Sequence, residues 1–245
     1  MTMQTTRCAT SATPGALAAA LTLAGLAVSA AMPAHAAPAS QPGVYDGYGP
    51  YYDTLPNRLF DRLDAKPMTA VGGDPDHPRA TWKGSVGGVA GEHQIDLRET
   101  TPVVDNVSLF ARPETTFPGA TTVALGDQAK LYVNDRALCF EGTPAAGSGT
   151  ADRYVQVTLV LRPFEKTARR YELPRLFSSC LDITQEDGQP VRFLSATLRP
   201  TGASDPLGVD FTPWTIGPDG GFHRGMTVTH ATFVDPGNVF RFKLD

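Results

Sequence analysis

"RYVQVTLVLRP", Arg153 to Pro163, carries the pattern that decides the fold. Val155, Val157, Leu159 and Leu161 fall on alternate positions, set against Gln156 and Thr158. That is the two-residue period of a β-strand, whose successive side chains leave opposite faces of the sheet. The same period recurs in "HQIDLRE" (Ile95, Leu97) and in "KLYVND" (Leu131, Val133). It is cleanest in "NVFRFKLD", where Phe240, Phe242 and Leu244 alternate with Arg241, Lys243 and Asp245 as in a half-buried antiparallel strand. "VRFLSATLRP" changes parity between Phe193 and Leu194, which predicts a bulge or a strand covered on both faces.

Turn chemistry separates these runs. "VNDR" lies between two strands, and "EDGQ", with the favoured hairpin pair Asp187-Gly188, links a Cys180 strand to a Val191 strand. "DPGN" (Asp235 to Asn238) joins "MTVTHATFV" to the last strand. Roughly ten short strands with frequent turns and no recurring helix between them predict an all-β fold, an antiparallel β-sandwich or jelly-roll.

The chain divides into three parts. Residues 1–36 read as a signal peptide: Arg7, an apolar run from Ala16 to Ala31, then small residues at Ala34 and Ala36 around His35. Arg7 stands alone, so there is no twin-arginine pair, and Cys8 precedes the apolar run, the wrong place for lipidation. Residues 37–67 form an N-terminal irregular arm rich in Tyr, Pro and Gly, with Tyr45, Tyr48, Tyr51 and Tyr52, followed by one short helix. Leu55, Leu59 and Leu63 recur every four residues, with Asp53 or Thr54 to cap and Pro56 in the first turn, which places that helix on them. Residues 68–245 are read as a single β-sandwich domain. A split into two small sandwiches near Thr116 to Thr122 is the alternative.

Cleavage after Ala36 leaves Cys139 and Cys180, an even pair expected to form a disulfide in an oxidising compartment. In "ALCFEG" and "CLDIT" the cysteines alternate with bulky Leu138, Phe140, Leu181 and Ile183. Two strands would then place the bridge on a second or rim surface, away from the main core. The expected location of the protein is secreted or periplasmic.

Charge and motifs exclude more than they assign. Without the leader, 20 basic residues face 25 acidic ones, with no basic block, so neither nucleic acid nor an anionic membrane surface is an expected partner. No later segment is apolar and long enough to span a bilayer, so no membrane insertion is expected after signal cleavage. The serine-elbow, zinc-helix and phosphate-loop signatures are absent, "DITQEDG" fails as a calcium loop, and no cofactor or metal is expected. "NVS" at Asn106 to Ser108 matches a glycan acceptor, and His77 sits in an oxygen-rich turn between Pro75 and Pro78. His230 falls in phase with Met226, Val228 and Val234, which predicts an inward side chain.

The most site-like stretch is "DFTPWTIGPDGGFHRGM", which gathers Trp214, His223 and Arg224 on a glycine-rich connection. Tyr48 and Tyr51 join them as candidate ligand-binding rings, although the same rings suit packing over a sheet face. The functional expectation is an exported, non-enzymatic β-sandwich that binds a protein, glycan or small ligand. The alternative is a secreted hydrolase with His223, His230 and nearby carboxylates on its loops.

Overall fold

The computed structural model describes residues 43–72, 79–109, 114–122, 125, 129–143, 153–200, 206–235 and 237–245. The leader, His77 and most of the Glu141–Asp152 loop lie outside the described residues. In chain order the elements are β1 (Val44–Asp46), α1 (Tyr48–Tyr52), β2 (Ala65–Pro67), β3 (Thr69–Ala70), β4 (Arg79–Ser85), β5 (Glu92–Arg98), β6 (Thr101–Val104), β7 (Val107–Ser108) and β8 (Glu114–Thr116). They continue with β9 (Lys130–Val133), β10 (Ala137–Gly142), β11 (Gln156–Leu161), β12 (Arg169–Glu172), β13 (Arg192–Arg199), β14 (Gly208–Ile216), β15 (Phe222–Arg224), β16 (Thr229–Phe233) and β17 (Arg241–Leu244).

These strands build an all-β sandwich from three sheets. A terminal sheet runs β1-β17-β16-β14-β13, with β15 also pairing β14. A central sheet runs β2-β9-β10-β11-β12-β8, and β3 to β7 form a meander. Every ladder is antiparallel except β12 with β8. The central sheet takes strands from both sides of Thr116–Thr122, and Ser40–Asp245 form one compact unit.

The central sheet is buried on both faces. Ala137, Cys139, Val157, Leu159 and Tyr171 join one core cluster with Val209, Phe211, Ala231 and Phe242 of the terminal sheet. Leu131, Val133, Leu138, Phe140 and Val160 join a second cluster with Ile95, Leu97 and Val104 of the meander. Gln156 and Thr158, which alternate with the apolar positions of β11, are buried as well. Thr158 Oγ1 donates to Glu172 Oε2 at 2.9 Å, and Glu172 shares its strand face with Arg170, which is ion-paired to Glu114. Two-sided burial leaves a polar side chain no water, so each must find a partner inside.

β13 resolves its parity question. Its ladder with β14 runs unbroken from Arg192↔Thr215 to Arg199↔Gly208, so there is no bulge. Phe193 belongs to the core, and Leu194, Ala196 and Leu198 pack against it from the other face.

The helix is not where the leucine spacing puts it. α1 is the single turn "YGPYY", too short to hold itself and fixed by its three buried rings. Tyr48 stacks on Phe177 at 4.1 Å and donates to the Val239 carbonyl at 2.7 Å, while Tyr51 lies 4.8 Å from Phe211. The Tyr arm thus packs its rings over the terminal sheet. The Leu55–Leu63 segment is instead turns and bridges. Asn57 takes a positive φ of 53°, Leu59 N donates to Ile183 O, and Gln185 N donates to Asn57 O. Leu59 and Phe60 are buried, but Leu63 is 87% exposed, which no amphipathic helix on that spacing would leave.

The bridge forms, at a corrected place. Cys139 and Cys180 are joined, and both are fully buried within the main core cluster, not on a rim. Cys180 starts a 3-10 turn, Cys180–Asp182, and not a strand. That turn is fastened to β10 by Glu141, whose Oε2 accepts from Ser179 Oγ at 2.6 Å and from the Cys180 N–H at 2.9 Å. Past it the Asp187-Gly188 turn exists, with Gly188 at φ 72°, but only the bridge Thr184↔Arg192 flanks it, so no long hairpin follows.

Candidate functional site

A groove that gathers predicted residues lies along one face of the β13–β14–β15 edge, with a volume of about 530 Å³. Its floor comes from strand alternation. Ser195 pairs with Thr212, and Trp214 pairs with Arg224 across the β14–β15 ladder, so these side chains leave the same face. Trp214 is fixed by two contacts: its Nε1 donates to Ser195 Oγ at 2.9 Å, and Phe117 meets its ring edge-on at 4.9 Å.

The opposite wall is two tied loops. "FPGA" (Phe117 to Ala120) closes a turn by Ala120 N donating to Phe117 O, with Pro118 at the second position and Gly119 at φ 81°. Those are the residues a type II turn requires. Beside it, Tyr154 bridges Leu176, and Val155 N donates to Arg175 O. Arg175 NH1 donates to Thr121 Oγ1 at 3.0 Å, which joins the two loops. Tyr154 is 43% exposed.

The electrostatics of this groove oppose those of the chain. Among the described residues its lining includes two arginines, Arg175 and Arg224, and no carboxylate, although the protein carries a net charge of −4. The Arg224 guanidinium has no hydrogen-bond or ion-pair partner among the described residues. Arg175 Nε is buried and likewise without a partner.

The predicted site residues separate into three places. Trp214 and Arg224 meet in the groove. His223 leaves the other face of β15, is exposed, and sits 3.2 Å from Asp219 Oδ1. Tyr48 and Tyr51 are core residues, so no flat patch of Tyr48, Tyr51 and Trp214 is presented to solvent.

His230 also faces outward, which corrects the inward reading. Ala231 and Phe233 take the buried positions of β16, and Met226 is 99% exposed, so the supposed apolar phase was off by one. His230 Nδ1 lies 2.7 Å from Asp210 Oδ1, and Arg199 lies 3.5 Å from the same oxygen. Arg199 also reaches the Ala231 carbonyl, Thr232 and Asp245, and Gly208 leaves room for it, since a Cβ there would overlap both that carbonyl oxygen and the guanidinium.

No protein-family model, curated protein or solved structure matches this chain. The geometry must therefore carry the functional argument alone. One further histidine merits notice. His93, on β5, holds Asp105 at 2.8 Å through Nδ1 and lies against Phe164 beside a cavity of about 320 Å³. Asp105 and Asn106 form the two-residue turn between β6 and β7, both at positive φ, so the Asn106 to Ser108 motif stands on an exposed hairpin tip. Among the described residues no three His, Cys, Asp or Glu side chains converge as a metal site would require. No helix among them is long and apolar enough to cross a membrane.

Tyr154, Arg175 and the Phe117–Ala120 turn were missed by the sequence reading. Pro118-Gly119 was a visible turn signal. Nothing local, however, tells that a turn, a bridge residue and a strand some forty to a hundred residues apart share one groove.

Proposed function

We propose that this chain is an exported, non-enzymatic binding module, with the Trp214–Arg224 groove as its ligand site. One observation carries the reading: a tryptophan locked by Ser195 and Phe117 stands beside an arginine with no partner among the described residues. A rigid ring next to an unspent cation is the composition of a recognition site, because little ordering entropy remains to be lost on binding. The groove volume suits a small ligand or a few sugar rings. A disulfide supports export to an oxidising compartment.

The hydrolase reading rests on the His230–Asp210 pair. That pair lies on a solvated strand face, and the nearby Thr232 hydroxyl donates to Asp245 at 2.6 Å, which holds it away from a nucleophile's role. Binding without turnover is the better account.

The protein has two tryptophans, so a Trp82→Phe variant leaves Trp214 as the sole reporter. Titrating it with neutral and acidic tri- and tetrasaccharides is expected to give a saturable change in Trp214 emission with at least one of them. Chromatography of the same mixtures should show no product. Product formation abolished by His230→Ala would establish the hydrolase instead, and a silent Trp214 across all ligands would remove the groove as the site.

A further inference from the structure

We infer that the groove selects an anionic sugar, with the ring face on Trp214 and the acidic group between Arg224 and Arg175. This rests on the binding reading above and adds the ligand's chemical class.

Three observations converge on it. Among the described residues the lining holds cations and no carboxylate on a chain that is acidic overall, so their charge is the reverse of the global one. Arg224 is exposed and has no partner among the described residues, and Arg175 lines the same groove and donates to Thr121. An Arg fork matches the two oxygens of a carboxylate or the oxygens of a sulfate. Finally, the floor mixes a ring with hydroxyls. Thr197 and Thr212 line the groove beside Trp214, and a sugar presents just that combination of an apolar C–H face and a rim of hydroxyls. The elements differ in role. Trp214 would supply most of the contact area, while the arginines would supply discrimination between charged and neutral rings.

Carboxylated and sulfated sugars share this chemistry, and the test separates them. The Trp82→Phe protein is titrated with galactotriose, with trigalacturonate and with a sulfated galactotriose, at low and at physiological salt. An acidic trisaccharide is expected to bind at least tenfold more tightly than galactotriose, with the preference shrinking as salt rises. Whichever acidic arm binds more tightly names the acidic group.

Arg224→Gln should bring the acidic ligand to within about threefold of the neutral one while leaving the thermal midpoint unchanged, since Arg224 is exposed. Arg224→Lys should recover part of the preference, because it restores the charge without the fork. Equal binding of neutral and acidic trisaccharides would overturn this inference and leave the binding module standing. Absence of any response from all three would overturn both.

Discussion

Protein carrying Cys139→Ala with Cys180→Ala is expected to unfold about 4 kcal/mol more easily than the parent. The two cysteines are 41 residues apart, and releasing a loop of that length returns about that much chain entropy to the unfolded state. Both sulfurs lie in the core among Tyr52, Leu159 and Ile183, so the truncations also leave a small void. For a domain near 200 residues, that loss corresponds to a fall of roughly 8–16 °C in thermal midpoint. Because neither cysteine is exposed, reductant alone should leave the native fold bridged until denaturant opens it. A fall under 3 °C would mean that the Glu141 clamp on Ser179 and Cys180 holds the turn to β10 without the bond.

Asp182→Asn is expected to act in the opposite direction and to stabilise the protein at neutral pH. Asp182 is the buried last residue of the 3-10 turn, and burial pushes its carboxyl from 3.8 up to about 8, against the pull of the Ser179 and Leu194 N–H groups. Glu172, in the two-sided central sheet, is pushed by burial from 4.5 to about 7. A carboxyl with a raised folded pKa binds its proton more tightly in the native state. Its contribution is therefore complete below the unfolded value and is lost as pH rises through the folded one. Unfolding free energy should fall between pH 4 and pH 8, and at about 1.36 kcal/mol per pKa unit Asp182 contributes on the order of 5 kcal/mol of that drift at most.

Asp96 works the other way. Burial raises its pKa, but hydrogen bonds from Thr81, Gln94, Arg79 and Arg98 outweigh it and hold the carboxyl at about 2. Its stabilisation is present above 3.8 and lost as pH falls toward 2. Maximum stability is thus expected near pH 4 to 5, and Asp182→Asn should flatten the limb above it. Urea unfolding at half-unit intervals from pH 3 to 9 reads this directly. A curve that rises from pH 4 to 8 in the parent would show Asp182 ionised in the fold.

The strand period was legible because it is local. Ile95 with Leu97 and Leu131 with Val133 hold in the structure, whereas the alternation of the last strand holds only at Phe242, since Phe240 is 39% and Leu244 36% exposed. What the period could not show is how many sheets stack. Val160 shares parity with Gln156 and Thr158, and it packs on the meander while Leu159 packs on the terminal sheet. A central strand of this kind differs from a half-buried one only in the partners its polar positions find, and those partners, Glu172 for Thr158, lie on other strands.

The same limit explains the helix and the bridge. Leu55, Leu59 and Leu63 have helical spacing, yet pairing of Asn57–Leu59 with Ile183–Gln185 outweighs a propensity worth a few tenths of a kcal/mol per residue. Parity placed Cys139 correctly off the Leu138 face, but that other face is also core, and Cys180 lies in a 3-10 turn to which strand parity does not apply. Of the groove, Trp214 and Arg224 were legible as residue types on a glycine-rich segment. Their neighbours Tyr154 and Arg175 were not, since the Tyr154↔Leu176 bridge that brings them there is a tertiary event.

The ligand is proposed to sit on Trp214. Calorimetric titration of the tightest acidic trisaccharide into the parent and into Trp214→Ala, with unfolding curves confirming both folded, tests it most directly. The result expected is at least a tenfold loss of affinity in Trp214→Ala with the one-to-one stoichiometry of the parent. An affinity unchanged by the substitution would contradict the assignment and place the site elsewhere on the molecule.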